Sequence, residues 1–164
     1  MAEEATELYE STRDKIANFI HIKNREEIIF VRGTTEAINL VAYAWGRNHI
    51  NKDDIIVTTE YEHHSNIVPW QLLTQEKGAK LVYIGMGDNG ELILDDLDKY
   101  LATGKVKLVT FSLMSNVLGT ITDAEKIICT RSSLSLFFAK YSGHSWAPSR
   151  RSGPRLRTSG RCET

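Results

Sequence analysis

The stretch DIIVTTEYEHHSNIVPWQLLTQEKGAKLVYIG, residues 54–85, decides the fold. It opens on Asp54-Ile-Ile-Val-Thr-Thr59, a β-branched run of strand length. Residues from Ile67 through Lys77 are helical in pattern and stop at Gly78, the residue type that closes a helix in the left-handed conformation. Lys80-Leu-Val-Tyr-Ile-Gly85 is a second strand. Downstream, Gly87-Asp-Asn-Gly90 is a turn, Asp95 to Leu101 a short helix with aspartates where the helix dipole favours them, and Val106-Lys-Leu-Val-Thr-Phe111 a strand. Upstream, Ala5, Leu8, Thr12, Ile16 and Phe19 recur at helical spacing through the first 20 residues. Glu27-Ile-Ile-Phe-Val-Arg32 is an apolar run of strand length, and Ile38, Val41, Ala42 and Trp45 mark another helix. Strands alternating with helices imply βαβ units. The expected class is α/β, a mostly parallel sheet with flanking helices.

Composition agrees. The chain has 164 residues, a net charge of -1 and 41% hydrophobic residues, which suits one globular domain and excludes collagenous or wholly disordered chains. No apolar run reaches the roughly 18 residues of a membrane span, and the acidic start lacks a signal-peptide pattern. Cys129 and Cys162 alone make neither a disulfide framework nor a metal site, so a cytoplasmic setting is expected. The charge is unevenly spread. Residues 1–129 hold 13 basic and 20 acidic residues, whereas residues 130–164 hold 7 and 1. The expected organisation is therefore a body over 1–128 and a Ser/Arg-rich tail over 129–164. In that tail Leu134-Ser-Leu-Phe-Phe-Ala139 has strand character, and 145–164 is expected to be disordered.

Three polar segments stand out. In Phe30-Val-Arg-Gly-Thr-Thr-Glu-Ala-Ile-Asn39 a glycine turn leads two threonines into a helix start. There Thr34 and Thr35 either cap the helix or join its free N–H groups in binding an anion. No Walker or GxGxxG pattern is present. Thr59-Glu-Tyr-Glu-His-His-Ser-Asn66 leaves the C-terminal end of a strand, the usual ligand side of an open α/β sheet. His63 and His64 have no third metal ligand at a recognised spacing, which leaves ring stacking, proton transfer or ordinary surface roles open. Phe111-Ser-Leu-Met-Ser-Asn-Val-Leu-Gly-Thr120 is either an Asn-containing turn or a third polar strand end. Three such ends on one edge are the geometry of a cofactor pocket.

Arg32-Gly-Thr-Thr-Glu-Ala-Ile-Asn-Leu-Val41, Glu62-His-His-Ser-Asn-Ile-Val-Pro-Trp70 and Ser115-Asn-Val-Leu-Gly-Thr120 resemble, in order and spacing, the SUF-type (group II) cysteine desulfurases of the class-V aminotransferase family. The resemblance runs from about residue 1 to about 126. It implies part of the large domain of a fold-type I enzyme dependent on pyridoxal phosphate. It also implies a homodimer acting in iron–sulfur cluster assembly, with L-cysteine as substrate and its sulfur passed to an enzyme cysteine. By the resemblance, Thr34 and Thr35 hold the cofactor phosphate, His63 stacks on the ring, and Asn116 lies beside the ring hydroxyl. His64 and Ser65 look like framework.

Departures from the family pattern weigh against catalysis. No aspartate follows Asp123, so the residue that pairs with the cofactor's ring nitrogen has no counterpart. Ser142-Gly-His-Ser145 stands where the family has Ser-Gly-His-Lys, whose lysine binds the cofactor aldehyde. Neither cysteine sits in the context of the sulfur acceptor. The expectation is a fragment truncated at both ends and inactive alone. The alternative is a non-catalytic module that binds pyridoxal phosphate or a partner. Neither a membrane nor nucleic acid is expected as a partner. The arginines of the tail lie in a patternless segment, and no aromatic residue follows Trp146.

Overall fold

The computed structural model describes residues 2–124, 127, 135–140 and 144–146. Helix α1 (Ala2–Phe19) buries only Ala17, and Arg13 ties it to the following turn by donating from Nη2 to the Arg25 carbonyl at 2.8 Å. Helix α2 (Thr34–Val41) runs through a π turn, Ala42–Gly46, into a last short helix α3 (Arg47–His49). Strand β1 (Ile55–Thr59), helix α4 (Val68–Lys77), strand β2 (Lys80–Ile84), helix α5 (Leu94–Ala102) and strand β3 (Val106–Ser112) follow. Strands β4 (Ser135–Lys140) and β5 (His144–Trp146) complete the sheet.

The sheet order is β2-β1-β3-β4-β5. All neighbours are parallel except β4 and β5, which are antiparallel. Strand β1 lies inside the sheet, between β2 and β3, and is buried at every position, as a parallel strand covered on both faces must be. Alternate side chains serve opposite layers. Ile56 and Leu108 pack with Ile38, Ala42, Ile50, Trp70 and Leu73 on one face. Ile55, Val57, Val109 and Phe111 pack with Ile84, Leu97, Leu101 and Ile127 on the other. Gly46 permits the close approach of the first layer, since a Cβ there would lie 2.5 Å from Cδ2 of the buried Leu73. Helix α4 ends as expected, with Gly78 left-handed at φ 66°.

From β1 the chain moves outward to β2 and then returns to β3 on the opposite side of β1. This reversal opens a crevice between the C-terminal ends of β1 and β3, the standard ligand position in an open α/β sheet.

The segment before α2 departs from expectation. Residues 28–32 form no strand: Ile28 is extended, but the segment has no ladder partner among the described residues and bends at Arg32. Its chain enters α2 at the loop end of the sheet, so its apolar side chains serve other contacts. Ile28 is buried, and the Phe30 ring meets Tyr9 edge-on at 5.3 Å. High β-propensity supplies side chains that suit a sheet, not a neighbouring edge to pair with. In the stretch expected as a tail, β4 extends the sheet beside β3, and Ser145 and Trp146 lie in β5 rather than in disordered chain. Residues 147–164 lie outside the described residues.

Candidate active site

Helix α2 begins at Gly33, whose backbone is extended and around which a Cβ would meet nothing within 4 Å. The first bond of the helix runs from the Ala37 N–H to the Gly33 carbonyl at 3.1 Å. The N–H groups of Thr34, Thr35 and Glu36 therefore have no carbonyl in their own helix. Glu36 reaches back instead, accepting from the Arg32 N–H at 2.8 Å and from Arg32 Nε at 3.1 Å. Those bonds hold the Glu36 carboxyl below its ordinary pKa and Arg32 above its own. The threonines do not cap the helix, because Gly33 is the N-cap and they fall inside the first turn. Open amides, two hydroxyls and the positive end of the helix dipole make this an anion-binding surface.

The turn after β1 faces it. His63 caps the short 3₁₀ turn His64–Asn66: its Nδ1 accepts from the Ser65 N–H at 3.2 Å and lies 2.9 Å from Ser65 Oγ. A backbone N–H can only donate, so the neutral His63 ring carries its proton on Nε2. Thr34, Thr35, His63 and Ser65 line one pocket of about 130 Å³. Ligand pockets more often enclose about 300–1,000 Å³, so the described residues form one wall of a site. A wider groove of about 420 Å³, lined by Asn39, Leu40, Tyr43 and Leu72 among others, lies between α2 and α4. Its one cation, Arg47, is already paired with Glu76 at 2.8 Å, and Glu36 adds a second carboxylate, so the groove suits an anion less well than the smaller pocket does.

Asn116 is not among the lining residues. It lies exposed on the loop after β3, at the same edge of the sheet. Ser115 shapes that loop, its Oγ accepting from the N–H groups of Val117 and Leu118 at 3.3 and 3.2 Å. Thus Thr34, Thr35 and His63 are brought together, while Asn116 shares only their edge. Among the described residues no group of three or more His, Cys, Asp and Glu could hold a metal ion.

Sequence reasoning missed the support beneath the pocket. Glu62 is buried and takes four hydrogen bonds. Oε1 accepts from Thr59 Oγ1 at 2.8 Å and from the Ser112 N–H at 2.6 Å. Oε2 accepts from Asn66 Nδ2 at 2.9 Å and from Ser112 Oγ at 2.6 Å. Asn66 in turn accepts at Oδ1 from Trp70 Nε1 at 3.0 Å and from Thr110 Oγ1 at 2.7 Å. Tyr61 completes the edge through a 2.6 Å hydrogen bond with Thr122. The only advance signal was the presence of Glu62 and Asn66 three and seven residues beyond Thr59. Ser112 lies 50 positions from Glu62, beyond any local pattern.

Comparisons with known proteins fit this geometry. The family description of aminotransferase class V matches residues 1–138. A cysteine desulfurase of Synechococcus elongatus is 47% identical over 128 residues, covering 78% of this chain and 20% of that protein. A probable cysteine desulfurase of Streptomyces coelicolor is 48% identical over 132 residues, covering 78% of this chain and 31% of that protein. Among solved structures, the cysteine desulfurase of Thermococcus onnurineus superposes with a TM-score of 0.73 at 38% identity, over 83% of this chain and 34% of that one. The Escherichia coli cysteine desulfurase CsdA gives 0.73 at 32% identity, over 84% and 35%. The chain thus spans about a fifth to a third of the length of these relatives. With its parallel sheet, its helix-start pocket and this match over most of its length, the chain belongs to the aminotransferase class-V family.

Proposed function

We propose that this chain carries the phosphate-and-ring portion of a cysteine desulfurase large domain, of the SUF type, and does not by itself remove sulfur from L-cysteine. The observation that supports it is the pocket lined by Thr34, Thr35, His63 and Ser65 at an open helix start. The donor set suits the phosphate of pyridoxal phosphate: amides and hydroxyls around a site with no carboxylate among its lining residues. When bound, that cofactor supplies an electron sink for the bonds at the substrate's α-carbon.

In this reading Thr34, Thr35 and the first amides of α2 bind the phosphate, His63 holds the ring, and Asn116 comes in from the loop after β3. Ser65 keeps the His63 proton on Nε2, so the ring offers a donor there. By the resemblance, Ser145 takes the place of the lysine that would anchor the aldehyde, and a hydroxyl cannot form that imine. No aspartate lies between Asp123 and Thr164 to hold the ring nitrogen protonated. Binding without turnover is therefore the expected behaviour. The chain corresponds to the cofactor-binding part of a homodimeric enzyme of iron–sulfur cluster assembly in the cytoplasm, and neither a membrane nor nucleic acid is a partner.

Titrating the full chain with pyridoxal phosphate tests this directly. Saturable binding is expected, competed by inorganic phosphate and weakened about tenfold or more in Thr35→Val, which loses a hydrogen bond to a charged group. Borohydride should fix no cofactor to Lys140, and L-cysteine with reductant should release no sulfide above the level of free pyridoxal phosphate. No saturable binding would overturn the cofactor assignment. Sulfide release above that level would overturn the claim of inactivity.

A further inference from the structure

We propose that Glu62 is the positioning residue of the pocket, an acceptor-only clamp that pins the His63 turn to the ends of both β1 and β3. The inference rests on the reading of the pocket given above, although its own evidence is the hydrogen-bond pattern around the carboxylate. Each Glu62 oxygen faces one partner that can only donate. For Oε1 it is the Ser112 backbone N–H, at 2.6 Å. For Oε2 it is Asn66 Nδ2, at 2.9 Å.

Asn66 cannot turn its amide over to help. Its Oδ1 already accepts from Trp70 Nε1, which can only donate, and from Thr110 Oγ1. The direction of every bond is therefore set by the indole at one end and the strand backbone at the other. A glutamine at position 62 has the same shape but one NH₂ face. In either orientation that face meets an obligate donor. The substitution that is usually mild is here the one that breaks the clamp.

The consequence reaches His63 through the chain. Thr59, Glu62 and Asn66 bracket it, and the 3₁₀ turn that follows presents the Ser65 N–H to its Nδ1. Glu62 touches neither the pocket nor a ligand there, and it is not among the lining residues. Its effect is to hold the turn in the geometry that fixes the His63 tautomer.

Nitrogen NMR of the full chain with ¹⁵N-labelled histidine reads that tautomer without any cofactor. In the wild type, His63 should show one pyridine-like ring nitrogen, Nδ1, and one pyrrole-like nitrogen, Nε2. In Glu62→Gln the two should move toward each other as the tautomers mix, at temperatures where the chain is still folded. The Ser112 amide should exchange with solvent at least tenfold faster. Affinity for pyridoxal phosphate should fall at least fivefold.

A Glu62→Gln chain that melts earlier but keeps the wild-type His63 nitrogens and cofactor affinity would overturn the proposal, leaving Glu62 a purely structural residue. If that variant does not fold, Ser112→Ala decides. It removes one donor and adds none, so a smaller shift of the same His63 signals is expected, and unchanged signals would overturn the proposal. A wild-type chain that fails to bind pyridoxal phosphate defeats the cofactor reading alone, because the ring nitrogens still report on the clamp.

Discussion

Two loops leave adjacent strands at the same edge of the sheet, and they are held in opposite ways. The turn after β1, residues 60–66, is fixed by side chains that reach into the core: Glu62 binds the end of β3, and Asn66 binds Trp70 and Thr110. The loop after β3 is held mostly by bonds within itself, from its own backbone and from the Ser115 hydroxyl. Met114 and Ile121 form an isolated bridge, and the Ser115 N–H donates to the Thr120 carbonyl at 2.9 Å. Its apolar side chains point outward, with Val117 76% and Ile121 73% exposed. The first loop depends on the sheet for its shape, and the second makes its shape locally and leaves apolar surface for contact. In the proposed site, the first carries His63 and the second carries Asn116.

The most severe way to break this contrast is Trp70→Ala. The indole is fully buried and anchors Asn66, so its removal should cost about 3–5 kcal/mol in urea denaturation. A loss under about 1 kcal/mol would mean that the first loop is not anchored in the core.

A smaller effect should come from the bond that joins the two loops, between Tyr61 and Thr122. Burial raises the Tyr61 hydroxyl above the ordinary tyrosine pKa. The folded chain keeps this proton at a pH where the unfolded chain releases it. Stability should therefore fall as pH climbs past about 10 and continue to fall up to the raised value. Tyr61→Phe should remove that part of the alkaline loss, as thermal melts of both chains between about pH 8 and pH 11 would reveal.

The smallest effect should come from Val117→Ser in the second loop. Its stability should stay within about 0.5 kcal/mol of wild type, because the side chain has little packing to lose. Self-association measured by sedimentation should decrease. An equal cost at Val117 and Trp70 would erase the distinction between the loops.

The sheet was legible wherever a strand carried its own signal. Ile55–Thr59, Lys80–Ile84 and Val106–Ser112 are β-rich runs bounded by turns, and Gly78 announces the end of α4. Glu27–Arg32 carried the same signal, but a strand also needs a free neighbour, and strand composition says nothing about that. The threonines of α2 were legible as a helix start because helix chemistry is local. That Gly33 rather than a threonine holds the N-cap depends on backbone angles that composition leaves open. The His63 segment was legible as a strand end and by resemblance. The clamp was not, because Glu62 and Ser112 are neighbours only after two crossovers have formed.

That separation has a kinetic meaning. Bonds between residues 62 and 112, and between residues 66 and 110, close only once β3 has crossed back over β1. Long-range parallel pairing is slow to form, because loop entropy is lost before contacts repay it. On a growing chain, the His63 turn would leave the ribosome well before its partner strand. Its carboxylate would wait in water, fully hydrated, until β3 arrived. Drying that carboxylate and completing the sheet are then the same late event, and agents that slow β3 pairing should delay the pocket by the same interval.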